Sequence, residues 1–249
     1  MEKIIKCIET ISEADSIAKI ELELLSLSQF FEYDFYLLGL SVPESVARSK
    51  VLIYNNYPTD WREYYDANNL ANVDPVVKHC FENTDPIHWH QIINASSNNK
   101  ELKFFKDAAR AGLCSGMSVP VHGSRGEFGM LSFSSRKSVA DIPDETISKV
   151  MLWAQIIAPI AFSRIVALVG YSPNFNSLTP RENSALLWAA EGKTTWEISK
   201  ILDCSERTVF FHIDNATKKL QAANRYQAIS KAILLGYIHP EITSNDTET

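Results

Sequence analysis

Four cysteines, at positions 7, 80, 114 and 204, are scattered along the chain with no paired spacing. That excludes a disulfide-stapled module and a cysteine-rich metal finger, and it fits a reducing compartment. No apolar run reads as long enough to span a bilayer. The N-terminus, MEKIIKCIETISEADS, lacks the apolar core and small-residue cleavage site of a signal peptide. Internal repeats and low-complexity tracts are missing too, so neither a solenoid nor a biased linker protein is expected. These absences lead to the expectation of a cytoplasmic protein with no membrane partner. What is present is a 249-residue chain, 45% hydrophobic, enough for a core and of a length that suits two domains.

Charge is uneven. The chain carries a net −6, yet residues 176–240 hold eight Lys/Arg against six Asp/Glu, leaving the remainder at −8. The same stretch has the clearest local chemistry. Thr179-Pro180-Arg181-Glu182 is a capping box with proline at the first helical position. Thr194-Thr195-Trp196-Glu197 repeats the box, and Ser205 opens a third helix with Glu206 at its positive end. Gly192 closes the first helix where a left-handed residue is wanted. Only Leu202, Asp203 and Cys204 separate Ile201 from Ser205, a turn of the length a helix-turn-helix uses.

Apolar residues follow helical spacing through this region: Leu186, Leu187 and Ala190, then Trp196, Ile198, Ile201 and Leu202, then Val209, Ile213, Ala216 and Leu220. The third helix leaves Phe210, Phe211, Asp214, Thr217, Lys218 and Gln221 on its outer face. An ordinary three- or four-helix bundle with no DNA role satisfies the same caps and stripes, so both readings stand on these features alone.

The N-terminal part alternates between periods. Ser12–Phe31 places Ile17, Ile20, Leu24, Leu27 and Phe31 on one helical face. Tyr33–Val42, Lys50–Tyr54, Gly116–His122 and Glu127–Ser134 read as strands, the last two joined by a glycine-containing turn at 123–126. Asp74–Glu82, Lys100–Gly112 and Asp144–Val169 read as helices, the last despite Pro159. An antiparallel sheet with helices on both faces follows. Tyr54, Tyr57, Trp61, Tyr64, Tyr65, Asp74 and Trp89 fall within 36 positions. Large apolar bodies with polar tips around one carboxylate suit a pocket for a small amphipathic molecule. They equally suit an aromatic core in which Asp74 caps the helix that begins at Pro75.

The letters themselves add a resemblance. Leu178-Thr179-x-Arg181-Glu182, Leu186, Gly192-Lys193-Thr194, Glu197-Ile198, Thr208-Val209-x-Phe211-His212-x-x-Asn215 and Lys219-Leu220 resemble the LuxR-type DNA-binding domain over 178–238. The resemblance implies a four-helix module whose third helix enters the major groove and whose fourth, Arg225 to Leu235, helps dimerisation. It implies DNA-facing roles for Lys200, Arg207, Thr208, Phe210, Phe211, Asp214, Lys218 and Lys219. Lys200, Arg207, Lys218, Lys219 and Arg225 are the available phosphate partners. The chain departs from the family at Ser184, Phe210 and Asp214. An acid at Asp214 weakens phosphate contact but can accept from the cytosine amine or simply follow the groove edge; Phe210 can touch a thymine methyl. A module of net +2 binds DNA weakly as a monomer, and dimerisation doubles its cations on one palindromic site.

Asn56-Tyr57-Pro58-x-x-Trp61-x-x-x-Tyr65, Asp74-Pro75-Val76, Pro86-Ile87-x-Trp89, Ala111-Gly112-Leu113, Gly116-Met117-Ser118-x-Pro120-x-His122-Gly123 and Gly126-Glu127-Phe128-Gly129-x-Leu131-Ser132 resemble the autoinducer-binding domain of LuxR-type quorum-sensing receptors. Members bind N-acyl-homoserine lactones. By that resemblance Trp61 donates to the lactone carbonyl, Asp74 accepts from the amide N–H, and Tyr57 and Ser132 meet the acyl carbonyl. Trp89 packs on the lactone ring and Tyr65 lies along the acyl chain. Val77, Phe104, Phe105, Leu113, Met117, Phe128 and Met130 are candidates to line that chain.

Rival chemistries are thinly supported. His88-x-His90 with His79-Cys80 nearby lacks a further clear metal ligand. Gly123, Gly126 and Gly129 lack dinucleotide-loop spacing. Cys114 and Ser132 have no placed base, which argues against a lactone-hydrolysing enzyme. Residues 1–165 lack the acidic cluster of a phosphorylation-controlled receiver.

The chain is therefore expected to be α+β. An N-terminal α/β/α sandwich with an antiparallel sheet occupies 1–169, a linker 170–177, an all-α four-helix helix-turn-helix domain 178–240 and a tail 241–249. It is expected to be a quorum-sensing transcriptional regulator and not an enzyme. Its expected partners are an N-acyl-homoserine lactone, promoter DNA, RNA polymerase and a second copy of itself, with no cofactor and no metal. The alternative is a relative responding to a non-lactone small molecule.

Overall fold

Period-two patterning along the strands decides which side chains face which layer. The structure, a computed structural model, describes residues 1–45, 47–170 and 177–238. The chain divides into two compact units, the first made of Met1–Val42, Lys50–Gly123 and Glu127–Tyr171, the second holding the C-terminal helices. In the first unit the order is α1 (Glu2–Ser12), α2 (Ile17–Phe30), β1 (Phe35–Ser45), β2 (Arg48–Asn55), α3 (Thr59–Ala67), α4 (Pro75–Glu82), β3 (Ile87–His88), α5 (Trp89–Ala95), α6 (Asn99–Arg110), β4 (Ser115–His122), β5 (Phe128–Ser135) and α7 (Asp144–Leu168). The five strands form one antiparallel sheet in the order β2-β1-β5-β4-β3.

On β4 and β5, Met117, Val119, Leu131 and Phe133 face the layer of α1, α2 and α7 and are buried there with Ile4, Leu24 and Ile157. Ser118, Met130, Ser132 and Ser134 point to the opposite face, under α3 to α6. The register sets Ser118 opposite Ser132, and Ser132 opposite Leu37 of β1. This is the expected α/β/α sandwich. Four of these elements are absent from the sequence reading: α1, whose Ile4, Cys7 and Ile11 form its buried stripe, α3, α5 and the two-residue β3.

The long helix runs unbroken through Pro159. One expectation is corrected by it. Over its most apolar window α7 has a mean hydropathy of 1.7, and its 25 residues are enough, by length and composition alone, to cross a bilayer. It serves here as a core helix, burying Ile147, Val150, Ala154, Ile157, Ala161 and Ile165.

The second unit holds α8 (Pro180–Ala190), α9 (Thr195–Ile201), α10 (Glu206–Lys219) and α11 (Arg225–Leu234). Both capping boxes form: Thr179 and Thr194 accept from the Glu182 and Glu197 amides, and each glutamate reaches back to its threonine N–H. Ser205 and Asn224 cap the last two helices. Gly192 takes φ +81° after α8, and Asp203 sits at φ +49° in the turn between α9 and α10. Leu186, Ile198, Val209, Ile213 and Leu220 meet in one core. The expected linker lies outside the described residues at 171–176, as does the expected tail.

Candidate ligand site and nucleic-acid face

Beneath α3, α4 and α6, the sheet encloses a cavity of about 350 Å³. Every expected ligand-binding residue lines it: Tyr57, Trp61, Tyr65, Asp74, Trp89 and Ser132. Trp61 and Tyr65 lie one helical turn apart on α3, so a single face presents both.

Asp74 both caps α4 and lines the cavity, so the two arrangements left open by spacing are compatible. Its Oδ1 accepts from the amides of Val76 (2.8 Å) and Val77 (3.3 Å), capping α4, while Oδ2 accepts from the Tyr65 hydroxyl at 2.9 Å. Burial pushes its pKa from 3.8 up to about 6, against the pull of the Tyr65 and backbone donors and of the Arg62 cation. Tyr65 is raised in turn, by burial and then by the adjacent carboxylate. Tyr65, expected to lie along an acyl chain, is seen to hold the carboxylate through its hydroxyl. Trp61 packs edge-on against Tyr65 and Phe104, and its indole N–H has no hydrogen-bond partner among the described residues.

Across the cavity, Trp89 donates from Nε1 to Ser118 Oγ at 3.0 Å, and Ser118 Oγ lies 2.7 Å from Ser132 Oγ. Gly116 makes room for that indole: a Cβ there would sit 2.7 Å from its Cε2. Burial raises the pKa of the Tyr57 hydroxyl, and the nearby Ser134 holds it down. Ser134 Oγ itself is buried and, among the described residues, has no partner at full hydrogen-bond geometry.

Val77, Phe104, Phe105, Leu113, Phe128 and Met130 line the cavity as expected, and Met117 does not. Strand alternation turns Met117 into the opposite layer. Several lining residues were not foreseen. Leu37 and Gly39 arrive from β1, while the exposed Val51, Ile53 and Phe81 edge the cavity. Arg62 stacks 4.8 Å over the Tyr65 ring and pairs with Asp66 at 2.7 Å. Its only sequence signal was its place beside Trp61 on α3.

Trp89 also borders a second cavity, of about 210 Å³, with His88 and His90. Their ring centroids lie 5.5 Å apart, and burial, then His90, lowers the His88 pKa. No group of three potential metal-ligating side chains forms among the described residues. Ser132 faces a second hydroxyl rather than a base.

The helix-turn-helix face is built from α9 and α10. Phe210 and Phe211 are 68% and 58% exposed, an aromatic pair held outward on α10. Arg207 and Lys218 are exposed on the same helix, and Thr208 shares its hydroxyl with Ser205 at 2.8 Å. Lys200 rests 5.7 Å from the Trp196 ring centroid. Asp214 pairs with Lys218 at 2.6 Å. That pairing neutralises the acid on its own helix and occupies Lys218.

Two expected phosphate partners are committed elsewhere. Lys219 Nζ lies 2.7 Å from Glu182 Oε2 and donates to the Ser177 carbonyl, and Arg225 donates to the Lys193 carbonyl at 2.8 Å. Glu182 is only 4% exposed, so its carboxylate needs a counter-ion. Burial alone would raise its pKa; the Lys219 and Thr179 hydrogen bonds outweigh that and bring it below the ordinary value.

Two known families match separate parts of the chain. The family described as "Autoinducer binding domain" matches residues 16–165, and "Bacterial regulatory proteins, luxR family" matches 176–232. The chain is 39% identical over 244 residues to the transcriptional activator VanR of Vibrio anguillarum, covering 96% of this chain and 99% of that one. It is 40% identical over 220 residues to the transcriptional activator LuxR of Aliivibrio fischeri, covering 86% of each. Among solved structures, Escherichia coli SdiA superposes with a TM-score of 0.78 at 29% identity, over 95% of this chain and 98% of that chain. SdiA in complex with octanoyl-rac-glycerol gives 0.75 at 29% identity, over 96% of both. The chain thus belongs to the LuxR family: it is an autoinducer-responsive transcriptional activator whose ligand-binding domain precedes a LuxR-type helix-turn-helix.

Proposed function

We propose that the cavity binds an N-acyl-homoserine lactone and that the occupied protein acts as a cytoplasmic homodimer on promoter DNA, where it meets RNA polymerase. One observation carries this reading: in a single apolar cavity a buried carboxylate, Asp74, lies with the indole N–H of Trp61, which has no hydrogen-bond partner among the described residues. A ligand placing an amide N–H on Asp74 and a ring carbonyl on Trp61 satisfies both. Tyr57 and Ser132 then donate to the acyl carbonyl. Each neutral hydrogen bond adds about 1 kcal/mol net, and each buried methylene about 0.8 kcal/mol, so the acyl chain supplies most of the affinity. Ligand that fills this cavity stabilises the fold by mass action and shifts the population toward the dimer. Dimerisation doubles the cations that a helix-turn-helix of small net charge brings to one site.

A second reading has a specific basis. SdiA has been solved with octanoyl-rac-glycerol, an acyl ester with neither amide nor lactone. Such a molecule offers the same carbonyl to Ser132 and a hydroxyl to Asp74. The test is mass spectrometry of ligand extracted from the full chain after expression with mixed acyl-homoserine lactones. Recovery of one lactone, abolished by Asp74→Asn, supports the first reading. Recovery of an acylglycerol in its place supports the second, and recovery of neither refutes both.

A further inference from the structure

We infer that Ser118, outside the set of residues expected to touch ligand, is a positioning residue that makes Ser132 a hydrogen-bond donor toward the cavity, so that the site selects an acyl carbonyl at that point. The inference rests on the acyl-ligand reading and turns on proton counting. An indole N–H can only donate. Trp89 Nε1 therefore occupies one lone pair of Ser118 Oγ, at 3.0 Å. Ser118 is fully buried, and the other hydroxyl within reach is Ser132 Oγ at 2.7 Å. A buried hydroxyl proton left unpaired is costly, so the Ser118 proton goes to Ser132. Ser132 then accepts from Ser118, and its own proton is free. Ser118 does not border the cavity, whereas Ser132 does.

The chain Trp89 → Ser118 → Ser132 runs in one direction and ends on the ligand. Each member polarises the next, which strengthens the terminal donor. A ligand presenting an acceptor continues the chain. A ligand presenting only a donor can take the second lone pair of Ser132, but then the Ser132 proton, or on reversal the Ser118 proton, is left buried and unpaired. The register that opposes Ser118 to Ser132, and the glycine at 116 that lets the indole lie close to β4, are the structural conditions for this arrangement.

The test uses the full chain and N-octanoyl-homoserine lactone isotope-labelled at the acyl carbonyl. Affinity and the infrared frequency of that carbonyl are measured for wild type, Ser118→Ala, Ser118→Thr, Ser132→Ala and the Ser118/Ser132 double alanine variant. Ser118→Ala is expected to weaken binding about three- to tenfold and to move the carbonyl band toward its free frequency. In the Ser132→Ala background the same change has less than a twofold effect, and Ser118→Thr restores both readouts. Where the alanine variant does not fold, Ser118→Cys, a poor donor of similar size, replaces it. Losses that simply add between the two sites, or a band unmoved by Ser118→Ala, overturn the inference while leaving the ligand reading intact. A wild-type protein that binds no such lactone overturns both.

Discussion

Replacing Asp74 by asparagine should move the stability of the empty protein and its response to ligand in opposite directions. In the folded empty domain the carboxyl titrates near 6 against 3.8 for the exposed group, because burial penalises its charge. Between about pH 4 and pH 6 the folded state holds more protons than the unfolded one, so stability falls as pH rises through that window and is flat above it. The rise from 3.8 to about 6 corresponds to about 3 kcal/mol at 1.36 kcal/mol per pH unit. Asparagine is an equally good N-cap and can keep both α4 hydrogen bonds through its one oxygen. It removes the buried charge, so the empty variant should be more stable at pH 7 by up to about 3 kcal/mol and lose the pH dependence. Its Nδ2, however, takes the place of Oδ2 and faces a ligand N–H donor to donor. Losing a charge-assisted bond of about 1.5–3 kcal/mol predicts an affinity drop of roughly ten- to a hundredfold. For the wild type, affinity should rise with pH up to about 6 and then level, since a ligand N–H favours the ionised form. Thermal unfolding at pH 5 and pH 7, with and without lactone, measures all of this. An asparagine variant that is less stable when empty, yet is stabilised by lactone as much as wild type, refutes the argument.

Gly116→Ala would press a methyl into the Trp89 indole, 2.7 Å from Cε2, and overpacking of this kind costs roughly 1–3 kcal/mol; a shifted tryptophan emission together with weakened lactone binding is the expected result, and binding like wild type would show that the indole does not border the ligand. Lys219→Met should destabilise the C-terminal helices by roughly 1–3 kcal/mol, since it strands the Glu182 carboxylate, as read by chemical denaturation. Lys218→Ala should barely change stability and should instead lower DNA affinity for all sequences and flatten its salt dependence. Phe210→Ala, at a side chain 68% exposed, should leave folding unchanged and reduce preference for thymine at one operator position in a binding-site selection.

How much of this was legible from the letters follows from the range of each interaction. The capping boxes at Thr179 and Thr194 are local chemistry over four residues, and both form as read. The stripe Ile4, Cys7, Ile11 of α1 gains meaning only from the helices it packs against, and β3 is too short to show any period. Asp74 was ambiguous because spacing treats a carboxylate as one point, whereas its two oxygens serve the helix and the cavity separately. Ser118 looks like any strand serine until the β4–β5 register and an indole from 29 positions away converge on it. Lys218 and Lys219 are neighbours of the same kind. One step of about 100° around α10 sends the first outward and the second to a glutamate 37 positions earlier.

The polar inventory of the cavity constrains its ligand more tightly than its volume does. Asp74 is an acceptor when ionised, and its Oδ1 is spent on α4. Its Oδ2, shared with Tyr65, is the carboxylate oxygen left to receive a ligand donor. Trp61 can only donate, and the Trp89–Ser118 chain orients Ser132 to donate as well. A ligand that leaves no group unpaired therefore carries one donor flanked by acceptors on both sides, joined to an apolar chain that covers Phe104, Met130 and Phe128. An amide N–H between a ring carbonyl and an acyl carbonyl has that order. An acylglycerol supplies the acyl carbonyl and the donor but brings hydroxyls to Trp61, where one must turn its oxygen inward and find another partner for its proton. The difference between the two ligand classes is thus one hydroxyl proton at the Trp61 end, and desolvating it unpaired costs roughly 1–3 kcal/mol, which is about one to two decades of affinity in favour of the lactone.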